Sequence, residues 1–197
     1  RWLDKTCRAL TVNEIHELVH DFGEGAYNAK RAGFDGVQIH AVHEGYLIDQ
    51  FAISLFNQRT DEYGGSLENR LRFAREIVEE IKRRCGQDFP VILRYSPKSF
   101  IKALREGALP GEEFEEKGRD LPEGVEAAKL LASYLAESGR RVMEITFPDY
   151  ESDSSALVKM YLSGQFGDKP DDVNPYAASS FYAVDRYASY KTKWGSF

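Results

Sequence analysis

The run Pro90-Val-Ile-Leu-Arg-Tyr95 constrains the fold more than any other stretch of this chain. It is too continuously apolar for a strand with one wet face, so it reads as a parallel strand covered on both faces. The helix that precedes it keeps Leu67, Leu71, Ala74, Val78, Ile81 and Cys85 on one stripe, with Ser66 as N-cap and Gly86 as a left-handed C-terminal cap. The same order occurs upstream. Thr11-Val-Asn-Glu14 is a capping box, and the helix it opens carries Ile15, Leu18, Val19, Phe22, Ala26 and Ala29 on one face. Gly33 closes that helix, and Val37 and Ile39 form a short strand. Downstream, Pro122 suits the first turn of a third helix with Val125, Ala128, Leu131 and Leu135 facing inward. Gly139 stops it, and Val142-Met-Glu-Ile-Thr-Phe147 reads as a third strand. Helix and strand alternating three times imply an α/β fold with parallel strands and right-handed crossovers.

Two segments stand outside this alternation. Ser96 to Asp120 reads as a long loop carrying the charged run Gly111-Glu-Glu-Phe-Glu-Glu-Lys-Gly-Arg-Asp120, either a solvated excursion or a lid over the strand ends. Beyond Pro148 no further strand and helix unit is legible. Residues 150–197 hold six of the eleven tyrosines, and Asn174-Pro175 opens a helix along Phe181, Val184, Tyr187 and Ala188. That tyrosine stripe reads as packing surface.

Composition excludes several function classes. A formal charge of -6, with no basic stripe, argues against nucleic acid as partner. No apolar run approaches the roughly 18 residues needed to cross a bilayer, and Arg-Trp-Leu-Asp-Lys resembles no secretory signal, so no membrane role is expected and the location is cytoplasmic. Cys7 and Cys85 belong to no CxxC pair, which suits inert thiols in a reducing compartment.

Chemistry concentrates in His40-Ala-Val-His43-Glu-Gly-Tyr46, directly after the first strand. Two imidazoles and a phenol gather where a strand gives way to a loop, the usual place for chemistry in α/β proteins. A histidine pair at i and i+3 beside Glu44 could also ligate a metal, but the helical HExxH pattern and a third ligand group are absent, so no metal is expected. The polar segment Asn57 to Arg70 follows. Its Arg59, Asp61, Glu68, Asn69 and Arg70 read as a buried hydrogen-bonded network holding the loop after the first strand, with Arg70 and Arg72 as phosphate ligands the lesser option.

Taken together, GFDGVQIHAVHEGYLIDQF at 33–51, NQRTDEYGGSLENRLRF at 57–73 and FPVILRYS at 89–96 resemble the old yellow enzyme family of flavin-dependent ene-reductases, in its 2-enoate and 2,4-dienoyl-CoA reductase-like branch. EEFEEKGRDLPEGVEAAKLL, at 112–131, is similar to an insertion of that branch. The resemblance implies a TIM (β/α)8 barrel holding FMN at the C-terminal strand ends, with NADH or NADPH as electron donor. It implies an enone, enoate or enoyl thioester as substrate. His40 and His43 match the pair that binds the substrate carbonyl oxygen, Tyr46 the proton donor, and Arg94 the arginine beside the flavin pyrimidine ring. Two fixed imidazole donors would stabilise charge developing on that oxygen, and a phenol can protonate the α-carbon.

A full barrel takes about 250 residues, and the 197 here carry about three parallel βα units. The expected architecture is an incomplete barrel over residues 1–147 with a divergent tyrosine-rich tail over 148–197, as in a truncated fragment of a larger flavin oxidoreductase. Three strands cannot close a barrel. Cover for the open edges would come from the tail, from a homo-oligomer or from a complementary barrel fragment, and a non-catalytic half-barrel working by association is the alternative to an ene-reductase.

Overall fold

The structure is a computed structural model that describes residues 8–42, 46–54, 56–95, 99–102, 118–121, 123–167 and 169–197. The chain divides into two units, Arg1–Arg140 and Arg141–Phe197.

In the first unit, helix α1 (Val12–Arg31) starts on the expected capping box: the Glu14 amide donates to Thr11 Oγ1, and the Thr11 amide donates to Glu14 Oε2 at 2.8 Å. Strand β1 (Val37–Val42) follows, then the short helix α2 (Leu47–Ala52) and the long helix α3 (Leu67–Cys85). Ser66 caps α3 by accepting the Asn69 amide, and Gly86 ends it at φ 92°. Strand β2 (Val91–Tyr95) pairs parallel with β1 from Val37↔Val91 to His40↔Arg94, and the register shifts before Val42↔Tyr95. Helix α1 lies against α3. Their approach is close at Gly23, where an added Cβ would stand 2.6 Å from Glu80 Cγ, and Phe22 meets Phe73 edge to face at 6.3 Å.

The core of this unit is the layer between the helices and one face of the sheet. Ile15, Phe73, Ile77 and Ile81 are sealed within it, joined by Ile39 and Ala41 from β1 and by Phe51 from α2. Burying such side chains contributes about 1.5–3 kcal/mol each, which makes this layer the main stabilising element of the unit. Helix α4 (Glu123–Glu137) adds Ala127, Leu131 and Leu135 to it, and Gly139 ends the helix region at φ 78°. Pro122 lies outside the described residues.

Four expectations need correction. The segment expected to be a long loop contains an antiparallel ladder, β3 (Ser99–Lys102) with β4 (Gly118–Leu121). Only two parallel strands occur among the described residues, rather than three, because Val142–Phe147 pairs with no strand and is exposed throughout. Alternating apolar residues do not make a strand without a ladder to join. Among the described residues, strand β2 is covered on one face only, with Ile92 54% exposed. The fourth correction concerns the second unit.

That unit contains α5 (Ala156–Leu162) and α6 (Pro175–Ser189), the latter running into a π-helical turn, Tyr190–Trp194. Asn174 caps α6 by accepting the Tyr176 amide at 2.8 Å. Val184 and Tyr187, expected on the packed stripe, are 54% and 64% exposed. The helix instead turns Asp185 and Ser189 inward, because Asp185 accepts the Asp149 amide at 2.9 Å and the Ser154 hydroxyl at 2.7 Å. Lys193 pairs with Asp149 at 2.5 Å, and Trp194 Nε1 donates to Ser189 Oγ at 3.1 Å.

Candidate active site

Strand alternation gives the β1–β2 pair two unlike faces. Val37, Ile39, Ala41, Val91, Leu93 and Tyr95 pack on the core side. Gln38, His40, Ile92 and Arg94 occupy the other, where Gln38, Ile92 and Arg94 are exposed. His40 and Arg94 are register partners, so an imidazole and a guanidinium stand side by side near the C-terminal ends of neighbouring strands.

Tyr46 joins them. It is the N-cap of α2, with extended backbone at φ -68° and ψ 174°, and its ring lies 4.7 Å from the His40 ring in an edge-on arrangement. The phenol is more than half exposed, while His40 Nε2 is sealed from solvent. The fold thus brings together His40, Tyr46 and Arg94. His43, also expected here, lies outside the described residues. Asp49, in the first turn of α2, was not singled out by sequence reasoning. It is fully buried, and its Oδ2 accepts the Tyr46 amide at 3.2 Å. An acid at the third helical position is a recognised capping signal, so the spacing from Tyr46 to Asp49 could have revealed it.

The polar segment after α2 is the scaffold that holds this corner. Arg59 grips Asp61 with two bonds of 3.0 and 2.5 Å and donates to Leu10 O at 2.6 Å. That grip, with the Tyr63 amide, holds the Asp61 carboxyl below the ordinary carboxylate range. Asn57 is buried and spans Phe51 O and Tyr63 O, at 2.7 Å each. Arg70 donates to Ala52 O and Gly65 O, and Arg72 to Glu62 O. These guanidinium donors are spent on main-chain carbonyls, which supports the structural reading of the segment over phosphate binding. Glu68 departs from that reading. It lies beside Tyr134 of α4, whose phenol is raised by burial and by this carboxylate.

A cavity of about 500 Å³ opens elsewhere, between α1, α3 and Arg140, and shares no residue with the cluster around His40. Its carboxylates are engaged: Glu76 by the Tyr63 hydroxyl at 2.8 Å, Glu79 by Arg140, and Glu80 by Arg83 and Arg84. Hydrogen bonds from Arg83 and Arg84 pull the Glu80 carboxyl down to about 2. Burial and the Glu76 contact push the Tyr63 phenol up. Cys85 is a buried free thiol, raised by burial, which suits an inert role; Cys7 lies outside the described residues. No group of three or more His, Cys, Asp or Glu among the described residues could hold a metal ion. No described helix is long and apolar enough to cross a membrane.

Comparison with known proteins bears on this corner. Residues 3–162 match the family model of the NADH:flavin oxidoreductase / NADH oxidase family. The chain is 73% identical over 136 residues to cinnamate reductase of Clostridium sporogenes, an alignment covering 68% of this chain and 20% of that protein. It is 53% identical over 90 residues to 12-oxophytodienoate reductase 2 of Arabidopsis thaliana, covering 46% of this chain and 24% of the relative. Among solved structures, morphinone reductase in complex with tetrahydroNAD matches with a TM-score of 0.52 and 36% identity, over 69% of this chain and 33% of that one. The chain therefore spans about a fifth to a third of the length of these relatives.

Proposed function

Because the chain belongs to the NADH:flavin oxidoreductase / NADH oxidase family, we propose that its open sheet face forms part of the FMN and substrate site of an ene-reductase. The cofactors of the family are FMN and a nicotinamide nucleotide. We read β1 and β2 as neighbouring strands of a (β/α)8 barrel, with Gln38, His40, Ile92 and Arg94 on its inner face. Parallel pairing and the packing of helices against the core side of the sheet support that reading.

The residues present fit a flavin. Arg94 offers exposed guanidinium donors suited to the polar edge of a pyrimidine ring, and Ile92 beside it offers apolar surface to a planar aromatic system. When bound, FMN supplies a hydride to the β-carbon of a C=C bond conjugated to a carbonyl. His40 donates a hydrogen bond to that carbonyl oxygen and so stabilises the charge that gathers there. From its sequence position after β1, His43 is the second donor. Tyr46 gives its phenolic proton to the α-carbon and recovers it from water. The observation that carries this assignment is the His40 and Tyr46 ring pair, 4.7 Å apart, beside the His40↔Arg94 register pair on the uncovered face. Similarity to cinnamate reductase favours an enoate, and an aryl enoate in particular, over an enone or an enoyl thioester.

Rapid-mixing kinetics of Tyr46→Phe test the proposal. Reduction of FMN by the nicotinamide should stay near the wild-type rate, while transfer to the enoate falls by about 10²–10⁴-fold. Equal loss in both half-reactions contradicts the donor role. A second reading, a half-barrel that acts by association through this face, draws support from the exposure of Ile92. It predicts a concentration-dependent dimer and no retained flavin.

A further inference from the structure

We propose that Asp49 is a positioning residue for Tyr46: its buried carboxylate pins the Tyr46 backbone and thereby sets the phenol against His40. The proposal rests on the donor role assigned to Tyr46 above. Asp49 is fully buried although it lies in the first turn of a helix of only six residues, Leu47–Ala52. A buried carboxylate is costly unless hydrogen bonds offset the lost hydration, and here Asp49 Oδ2 accepts the Tyr46 amide at 3.2 Å. Ile48, Phe51 and Ala52 are buried beside it, so the turn that carries Asp49 is anchored in the core while Tyr46 stands out at its start, 57% exposed.

The Tyr46 ring is held on one side by the edge-on contact with His40 at 4.7 Å. The hydrogen bond from the Tyr46 backbone amide to Asp49 Oδ2 sets where the chain enters α2 and hence where the Tyr46 Cα sits. A proton donor works only from within hydrogen-bond reach of its target, and small misplacements of a catalytic group cost large factors in rate. Asp49 touches neither substrate nor cofactor in this scheme; it acts through Tyr46.

The test uses the full chain without flavin first. Proton NMR of the wild type should show a ring-to-ring NOE between His40 and Tyr46 and a protected Tyr46 amide. In Asp49→Ala the NOE should vanish and that amide should exchange about five- to tenfold faster, with α3 amides unchanged. Retention of both the NOE and the protection in Asp49→Ala overturns the proposal. Should Asp49→Ala not fold, Asp49→Asn decides: a neutral acceptor weakens the bond and speeds Tyr46 exchange about threefold, and unchanged exchange overturns the role. With FMN bound, Asp49→Ala should slow enoate reduction but not flavin reduction, and should add nothing in a Tyr46→Phe background. A further loss in that background overturns action through Tyr46. An unaffected Tyr46→Phe rate sinks the donor assignment instead, while the NMR result on Asp49 stands independently.

Discussion

Replacing Gly64 with alanine should loosen the scaffold under the candidate site far more than the gain of one methyl group suggests. An added Cβ would stand 2.1 Å from Arg59 O, 2.5 Å from Arg59 C and 2.7 Å from Arg59 Cβ. Real Cβ contacts do not fall below 3.0 Å, so the Arg59 carbonyl must retreat by about 1 Å. It is main chain and cannot swing aside. Its residue is tied by the Asn57 side chain at 3.0 Å, by Asp61 and by Leu10 O. Overpacking costs about 1–3 kcal/mol, and one or two weakened hydrogen bonds add about 1 kcal/mol each, giving a total of about 3 kcal/mol. With a urea slope near 2 kcal/mol per molar, the unfolding midpoint of the first unit should fall by about 1.5 M. Two neighbouring comparisons separate the clash from general glycine effects. Gly65 has open space but a φ of 78°, so Gly65→Ala should cost only about 1 kcal/mol. Gly25 lies inside α1 with nothing within 4 Å, so Gly25→Ala should stabilise by about 0.5–1 kcal/mol. A Gly64→Ala midpoint within error of wild type, or one no lower than that of Gly65→Ala, refutes the tight-turn account.

The Glu80 carboxyl lies at about 2 against an ordinary 4.5, lowered mainly by the Arg83 hydrogen bond. A depressed carboxylate contributes stability above its unfolded value and loses it as pH falls, so acid unfolding between pH 4.5 and about 2 should be shallower in Glu80→Gln than in wild type. Urea midpoints at three pH values check this, and parallel curves would contradict it. Asp185→Ala leaves the buried Asp149 amide without its acceptor, at a cost of about 2–4 kcal/mol. Hydrogen exchange should then quicken across α6 while α3 amides keep wild-type protection, and protected α6 amides would count against the Asp185 anchor.

How much was legible beforehand depended on how local the signal was. Thr11 and Ser66 announce helix starts because a cap needs only its own next three residues, and both caps are present. The Arg59, Asp61 and Asn69 network could be anticipated because so many hydrogen-bonding groups in a short segment must find partners near at hand. Non-local information was poorer. Ile92 reads as buried on both faces because an apolar residue says nothing about whether a second layer is there to cover it, and it is exposed. Val142, Met143, Ile145 and Phe147 have strand-like composition but no ladder partner among the described residues, and each is exposed. The α6 stripe failed for another reason: Asp185 turns inward to satisfy the Asp149 amide, so hydrogen bonding overrides apolar periodicity. At the candidate site, His40, Tyr46 and Arg94 were readable as chemistry-bearing residues through family likeness. That His40 and Arg94 share a face emerges only from the β1–β2 register, and Tyr46 joins them through its ring contact with His40. Asp49 went unnoticed because a carboxylate inside an apolar helical run passes for a surface residue.

Whether the open face of β1 and β2 belongs to an FMN site is decided by a flavin titration. FMN fluorescence should be quenched on adding the folded chain at micromolar concentration, with yellow colour retained through gel filtration. Arg94→Gln should weaken that binding by about 10–100-fold through loss of a charged hydrogen bond. A chain that is folded by circular dichroism yet retains no flavin, or binds it equally well without the Arg94 guanidinium, contradicts the claim.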